Sequence, residues 1–435
     1  MQKKVKNQQT SWQGIVICQR LLAGIRRLAT KAGALSFAIL AIAAYLVWIN
    51  RFSIFPAHRY IPLERMLLET GLVAAYVLVL FLILLVLGTP PGAYVSMVGL
   101  DRIALHNSFG EVPILLSRER KTKGSPVLCL QFLSYGVPLQ TWLARQKEIE
   151  SALDLHIADI RQGKDMRHIV IYATLGKMML PKKVLWEEGN LPTADFVLAL
   201  GVGYLGIVSI DLAKYAHVLL GGTTGSGKSV LLKLILYQCV QKGAVVCIAD
   251  FKGGVDFEKY WKMHCCMVTT PENMLEMVKQ SVQELTKREQ LLARTNFTNI
   301  QEYNKGASVK LRRIILACDE LAELLDKTGL DKEQKQLITE IEGYIKTIAR
   351  KGRALGLHLI LATQRPDANI LSGQIKSNIA CRICGHADNV LSQIILDNTS
   401  ASDEIPKDAQ GRFIMHDGTV FQAHMLGSEY KKGIR

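Results

Sequence analysis

Two stretches near the start of the chain carry no charge at all, Ala32–Ile49 and Gly71–Gly88. Each holds 18 residues, about 27 Å of helix at 1.5 Å per residue, which is close to the thickness of a bilayer core. Mixed, soluble-type patterning follows Thr89-Pro90-Pro91-Gly92. Val127–Phe132, His156–Ile160 and His168–Thr174 read as strands, and Pro138–Leu153 reads as a helix with Leu139, Trp142, Leu143, Ile149, Ala152 and Leu153 on its apolar side. Farther on the pattern changes again. Short, largely apolar runs recur at His217–Leu220, Ala244–Ala249, Ile314–Cys318, His358–Ala362 and Ile379–Ile383, with helical segments such as Ser229–Val240 between them. Continuous apolar runs of this length are what strands of a parallel sheet covered on both faces require. The second half therefore predicts an α/β fold, and Gly411–Leu426 reads as a closing hairpin.

This pattern divides the chain into residues 1–31, an arm; 32–90, a two-helix anchor; 91–190, a small α+β domain; and 191–435, an α/β domain. Pro181–Pro192 reads as the linker between the last two.

Charge sharpens the picture. Lys and Arg number 53 against 38 Asp and Glu, for a net charge of +15 and a pI near 9.3. That excess favours an anionic partner, either nucleic acid or a membrane surface. The arm holds Lys3, Lys4, Lys6, Arg20, Arg26, Arg27 and Lys31 and no acid. Positive charge ahead of two spans places both chain ends in the cytoplasm and the Asn50–Arg65 loop outside, although Arg51, Arg59 and Arg65 lie in that loop. A signal peptide fits poorly, because the basic region is long and a second apolar run follows at once. A buried helical hairpin is the soluble alternative. Gly14–Thr30 reads either as a basic amphipathic helix on the inner leaflet or as a solvated arm. Nine cysteines at irregular spacing fit a reducing compartment rather than a disulfide framework. Cys381-x-x-Cys384 with His386 lacks a second ligand pair at zinc-finger spacing, and Cys265-Cys266 reads as core.

The sharpest chemical signal is Gly222-Thr223-Thr224-Gly225-Ser226-Gly227-Lys228-Ser229, which satisfies G-x-x-x-x-G-K-[ST] between a predicted strand and a predicted helix. Glycines let the backbone curl so that its N–H groups face phosphate oxygens, and the helix N-terminus adds partial positive charge. Lys228 is placed to reach the β- and γ-phosphates of ATP, and Ser229 to offer its hydroxyl to Mg²⁺. A second apolar run ends in Asp319-Glu320, where ligands bind in open α/β sheets. Asp319 suits a magnesium ligand and Glu320 a general base, the competing reading being an acidic helix cap. Gln364, at the end of a third run, is a candidate contact to the γ-phosphate or the attacking water, or else a structural hydrogen-bonding group. Asp250 and Lys252 end a fourth run, with open roles.

The ordered segments HVLLGGTTGSGKSV, ADFKGGVDF, ILACDELAEL, KGRALGLHLILATQRPD and IKSNIACRI resemble the motor core of the FtsK/SpoIIIE family, from about Leu191 to the end. Residues 91–190 are similar, more weakly, to the small domain that precedes that motor. The resemblance implies a RecA-like P-loop ATPase core, a homo-hexameric ring and ATP-driven movement of DNA. It also implies that a neighbouring subunit supplies an arginine, for which Arg353 and Arg382 stand at the candidate positions; a surface, DNA or interface contact is the alternative for either. Two apolar runs and one phosphate loop look more like the membrane-bound coupling proteins of Gram-positive conjugative elements, which pass relaxase-bound DNA to a secretion channel. A chromosome or plasmid DNA pump and a type VII protein-secretion ATPase are the alternatives.

Overall fold

The computed structural model describes residues 14, 17–26, 28, 31–50, 61–121, 126–175, 180–251, 256–364 and 373–427. The first 13 residues of the arm, the centre of the Asn50–Arg65 loop, and Lys252 lie outside them. The chain forms two compact units, Met1–Met178 and Met179–Arg435.

In the first unit the two apolar runs become helices, Lys31–Ile49 and Pro62–Gly88. Pro62 sits in the first turn of the longer one, where a missing N–H costs nothing, and the Glu64 carboxylate accepts from the Ile61 N–H. Leu67, Val77, Leu78 and Val86 point outward along it. Among the described residues, Pro62–Gly88 is the one helix that is long and apolar enough to cross a membrane. Residues 17–26 of the arm are helical and run close to its end. A Cβ on Gly88 would fall 1.7 Å from the Arg20 carbonyl oxygen, and one on Gly24 would fall 2.2 Å from that of Leu84. Only glycine permits this approach, so this part of the arm packs against the longer helix instead of standing free in solvent.

The remainder of this unit is an antiparallel sheet of β1 (Ile114–Arg120), β2 (Val127–Leu133), β3 (Leu155–Gln162) and β4 (His168–Leu175), in the order β1-β2-β4-β3. Leu130, Phe132, Ile169 and Ile171 face a core completed by Trp142, Ile149 and Leu100 from three helices. The helix expected over Pro138–Leu153 breaks in two at Arg145, whose guanidinium turns aside to the carbonyls of Ile103 and Ala104.

The second unit is built on an eleven-stranded mixed sheet among the described residues. Its strands are β5 (Val184–Leu185), β6 (Val197–Gly203), β7 (Gly206–Asp211), β8 (Val218–Gly221), β9 (Val245–Ala249), β10 (Cys266–Val268), β11 (Ile314–Cys318), β12 (Leu357–Thr363), β13 (Cys381–Cys384), β14 (Arg412–Met415) and β15 (Val420–Met425). They run β10-β9-β11-β12-β8-β13-β14-β15-β6-β7, with β5 paired to β15. The stretch from β10 to β13 is parallel and the rest largely antiparallel. Pro181–Pro192 is therefore no free linker. Val184 and Leu185 hydrogen-bond to His424 and Met425, because β15 would otherwise leave its backbone groups there unpaired. Helix Lys228–Gln241 packs one face of the sheet through Leu231, Leu234 and Ile235, while helices Pro271–Thr295 and Lys332–Leu355 cover the other through Leu285, Ile341 and Ile348.

Candidate functional site

Parallel pairing brings the chemistry together. Leu361 on β12 lies opposite both Leu219 of β8 and Cys318 of β11. The three strands thus end at one edge, with β12 between the other two. The phosphate loop leaves β8 at that edge, and Asp319-Glu320 leave β11 beside it.

The loop conformation depends on glycine. Gly222, Gly225 and Gly227 have φ of 150°, 84° and 97°, a region costly for residues with a Cβ. A Cβ on Gly227 would also press on the Gly411 backbone at 3.1 Å. Thr223 donates through both its N–H (2.9 Å) and its hydroxyl (3.0 Å) to the His386 carbonyl, and Gly385 N–H donates to Gly221 O. The segment after β13 therefore clamps the loop from behind. Ser226 is buried, its amide donating to Thr223 O, and Gly411 N–H donates in turn to Ser226 O.

Lys228 and Ser229 open the helix Lys228–Gln241 and reach across β12 to the acidic strand. Lys228 Nζ donates to Asp319 Oδ1 at 3.0 Å and to the Asp319 carbonyl at 2.5 Å; both side chains are almost wholly buried. Ser229 Oγ lies 3.2 and 3.5 Å from the two Asp319 carboxylate oxygens. Hydroxyl and carboxylate oxygens side by side are the hard donors that a magnesium ion takes. Glu320 is buried as well. Its Oε1 accepts from Thr363 Oγ1 at 2.8 Å, and both carboxylate oxygens lie near the Gln364 N–H, at 3.2 and 3.1 Å. Gln364 turns its side-chain oxygen to the Thr224 hydroxyl at 2.9 Å, joining the end of β12 to the phosphate loop. Asp250, buried at the end of β9, is close by: the Asp319 N–H donates to Ala249 O. Burial pushes the Cys318 thiol, next to this carboxylate pair, up to about 12, so it stays protonated and inert.

The two arginines stand apart from this cluster. Arg382, on β13, donates to the Ile379 and Lys376 carbonyls and pairs with Asp397, which also binds Lys376 at 2.5 Å. Arg353 is exposed near the end of helix Lys332–Leu355, just before β12 begins. It lines a cleft of about 780 Å³ with Arg350, Lys351 and Phe297 at the opposite edge of the sheet. Seven residues of β12 at about 3.3 Å each separate it from its own phosphate loop.

Sequence reasoning missed Thr363, His386 and Gly411. Thr363 directly precedes Gln364 at the end of the apolar run, and that adjacency was the available signal; the structure adds its register opposite Gly221. His386 acts through its backbone, so no side-chain pattern could reveal it.

Residues 187–368 match the FtsK/SpoIIIE family. The DNA translocase FtsK of Clostridium acetobutylicum is 34% identical over 247 residues, covering 54% of this chain and 31% of that protein. That of Leptospira interrogans is 29% identical over 317 residues, 67% of this chain and 32% of that one. The chain thus spans about a third of the length of these curated relatives. A solved structure of the pCW3 conjugation coupling protein TcpA, in monomer form with ATPγS, is 36% identical, with a TM-score of 0.57 over 78% of this chain and 96% of that one. With the ordered motifs meeting at a single sheet edge, these likenesses make residues 187–368 a P-loop ATPase domain of the FtsK/SpoIIIE family.

Proposed function

We propose that the protein is a membrane-anchored, ATP-driven DNA translocase that serves as the coupling protein of a conjugative transfer system. The observation that carries the motor reading is the convergence of Lys228, Ser229, Asp319 and Glu320, from segments some 90 residues apart, at the end of β8 and β11. The conjugative assignment rests on the 36% identity to TcpA over nearly all of that chain.

In this reading the amides of Gly222–Ser229 and the Lys228 ammonium bind the triphosphate. Ser229 and Asp319 hold Mg²⁺, which when bound screens phosphate charge. The Glu320 carboxylate takes the proton of the attacking water, held in place by Thr363 and the Gln364 amide. Gln364, bonded to Thr224, reports occupancy of the γ-position to the phosphate loop. The core is RecA-like and works as a homo-hexamer whose sites are completed by a neighbour's arginine; among the described residues neither Arg353 nor Arg382 bonds to the cluster of its own subunit. Arg353 is the better candidate for the neighbour's contribution, since Arg382 already spends its donors on two carbonyls and Asp397. Lys31–Ile49 and Pro62–Gly88 form a two-span anchor in the cell membrane, with the basic arm and the ATPase on the cytoplasmic side. The surplus of positive charge suits DNA phosphates, and its partners are a relaxase and channel proteins.

Measuring ATP turnover of the full chain with and without DNA tests the motor. DNA stimulation that weakens steeply with salt is expected. Stimulation by a secreted polypeptide and not by DNA would replace this reading with protein secretion. The FtsK relatives favour a second reading, a chromosome or plasmid pump. Plasmid transfer in matings between a deletion strain and recipients decides between them: Glu320→Gln should abolish complementation of transfer, whereas a pump would leave transfer intact and disturb segregation.

A further inference from the structure

Cys247 and Cys266 are register partners on the parallel strands β9 and β10, so their side chains leave the same face of the sheet from backbones about 4.8 Å apart. That spacing falls within the span a disulfide bridges without backbone movement. The adjacent Cys265 does not compete on this face. It packs against the opposite core with Met267, whereas Cys247 packs with the core of helices Pro271–Thr295 and Lys332–Leu355. Cys266 is exposed and Cys247 half-buried, which gives one accessible and one sheltered sulfur.

We propose that Cys247 and Cys266 are a thiol-modification site that takes a small disulfide oxidant and closes into an internal cross-strand disulfide. The Cys266 thiolate attacks one sulfur of the oxidant, forming a mixed disulfide and releasing one thiolate. Cys247 gives up its proton to that released thiolate and attacks the Cys266 sulfur, expelling the second thiolate. Two protein thiols and one oxidant disulfide become one protein disulfide and two small thiols, so electrons and protons balance. Burial and the neighbouring thiol push Cys247 up to about 12, which makes it the slower, resolving partner and Cys266 the point of entry. The bond would fasten the edge strand β10 to β9, the strand that runs into Asp250, whose amide already donates to Val268 O at 2.8 Å.

The test treats the reduced full chain with oxidised glutathione, quenches it with a maleimide and maps the peptides by mass spectrometry. The Cys247 and Cys266 peptides should lose their maleimide label together, with a reductant-sensitive link between them, whatever adduct the exposed Cys18 takes. The thermal midpoint should rise on oxidation of the wild type alone. Cys247→Ser should stop at a glutathione adduct on Cys266, and Cys266→Ser should take no adduct in this segment. A Cys265–Cys266 link, a Cys266-joined dimer, or a wild type that halts at the adduct would each overturn the proposal.

Discussion

Lys228 Nζ holds Asp319 by carboxylate and carbonyl together, across the width of an intervening strand and with both groups nearly sealed from solvent. The pair serves folding as well as chemistry, and the two roles separate by mutation. Removing one member of a buried ion pair strands the other charge, at a cost of about 3–5 kcal/mol. Lys228→Ala should therefore lose ATPase activity and also lower the thermal midpoint. Lys228→Ala combined with Asp319→Asn should recover most of the midpoint and none of the activity. Calorimetry beside a turnover assay reads both. A double variant that loses the sum of what Lys228→Ala and Asp319→Asn lose separately would mean that the pair contributes no coupling.

Thr363 is expected to act through Glu320. Its hydroxyl donates to Oε1 at 2.8 Å, and Thr363→Val removes that donor while keeping the shape. A net hydrogen bond to a charged group is worth about 1.5–3 kcal/mol. The variant should lose about ten- to a hundred-fold in kcat, with KM for ATP unchanged, and Thr363→Ser should restore the rate. A rise in KM at constant kcat would instead put Thr363 in nucleotide binding.

The convergence of these residues was legible in the sequence for a physical reason. A phosphate loop and an acidic strand each carry a local signature, since glycine spacing and a charged end to an apolar run are read within about ten residues. Gln364 was legible in the same way. The clamp by His386 and the docking of Val184–Leu185 on β15 were not, because they are backbone hydrogen bonds between distant segments and leave no side-chain pattern. The break at Arg145 escaped for a related reason: helical periodicity continues through it, while the carbonyls that draw its side chain away belong to residues some forty positions earlier.

Two buried histidines give the fold an acid limit. His358 Nδ1 donates to Ala216 O and its Nε2 accepts from Arg313 Nη1, so the neutral ring is fully used and faces a guanidinium. His217 Nδ1 accepts from the Leu359 N–H. Burial holds His217 at about 4; burial, then Arg313, His217 and Arg288 hold His358 at about 3. Both lie below the ordinary value of about 6.5. From that pH downward the unfolded chain takes protons that the folded chain refuses. Stability is complete above it and falls by about 1.4 kcal/mol per pH unit for each ring, until the folded values are reached. Denaturant melts between pH 7.5 and 5 should show this slope, and His358→Gln should make it shallower by one ring's share. Parallel slopes would exclude His358 as a source.

Subunit mixing tests the arginine. In a ring whose sites are completed by a neighbour, a chain lacking Lys228 still donates its arginine, and a chain lacking that arginine still binds and positions ATP. Lys228→Ala and Arg353→Ala should each be inactive alone, the arginine being worth about 10³–10⁵ in rate. Mixed in equal amounts, about a quarter of the interfaces would join an intact loop to an intact Arg353, and turnover should return to that order. Arg382→Ala should instead show a lowered midpoint, since it leaves Asp397 with Lys376 alone and frees two carbonyls. Mixing it with Lys228→Ala should restore nothing beyond what its own folded fraction supplies. Recovery with Arg382→Ala and none with Arg353→Ala would exchange the two assignments, because only the residue that crosses the interface can be supplied by a subunit whose own site is dead.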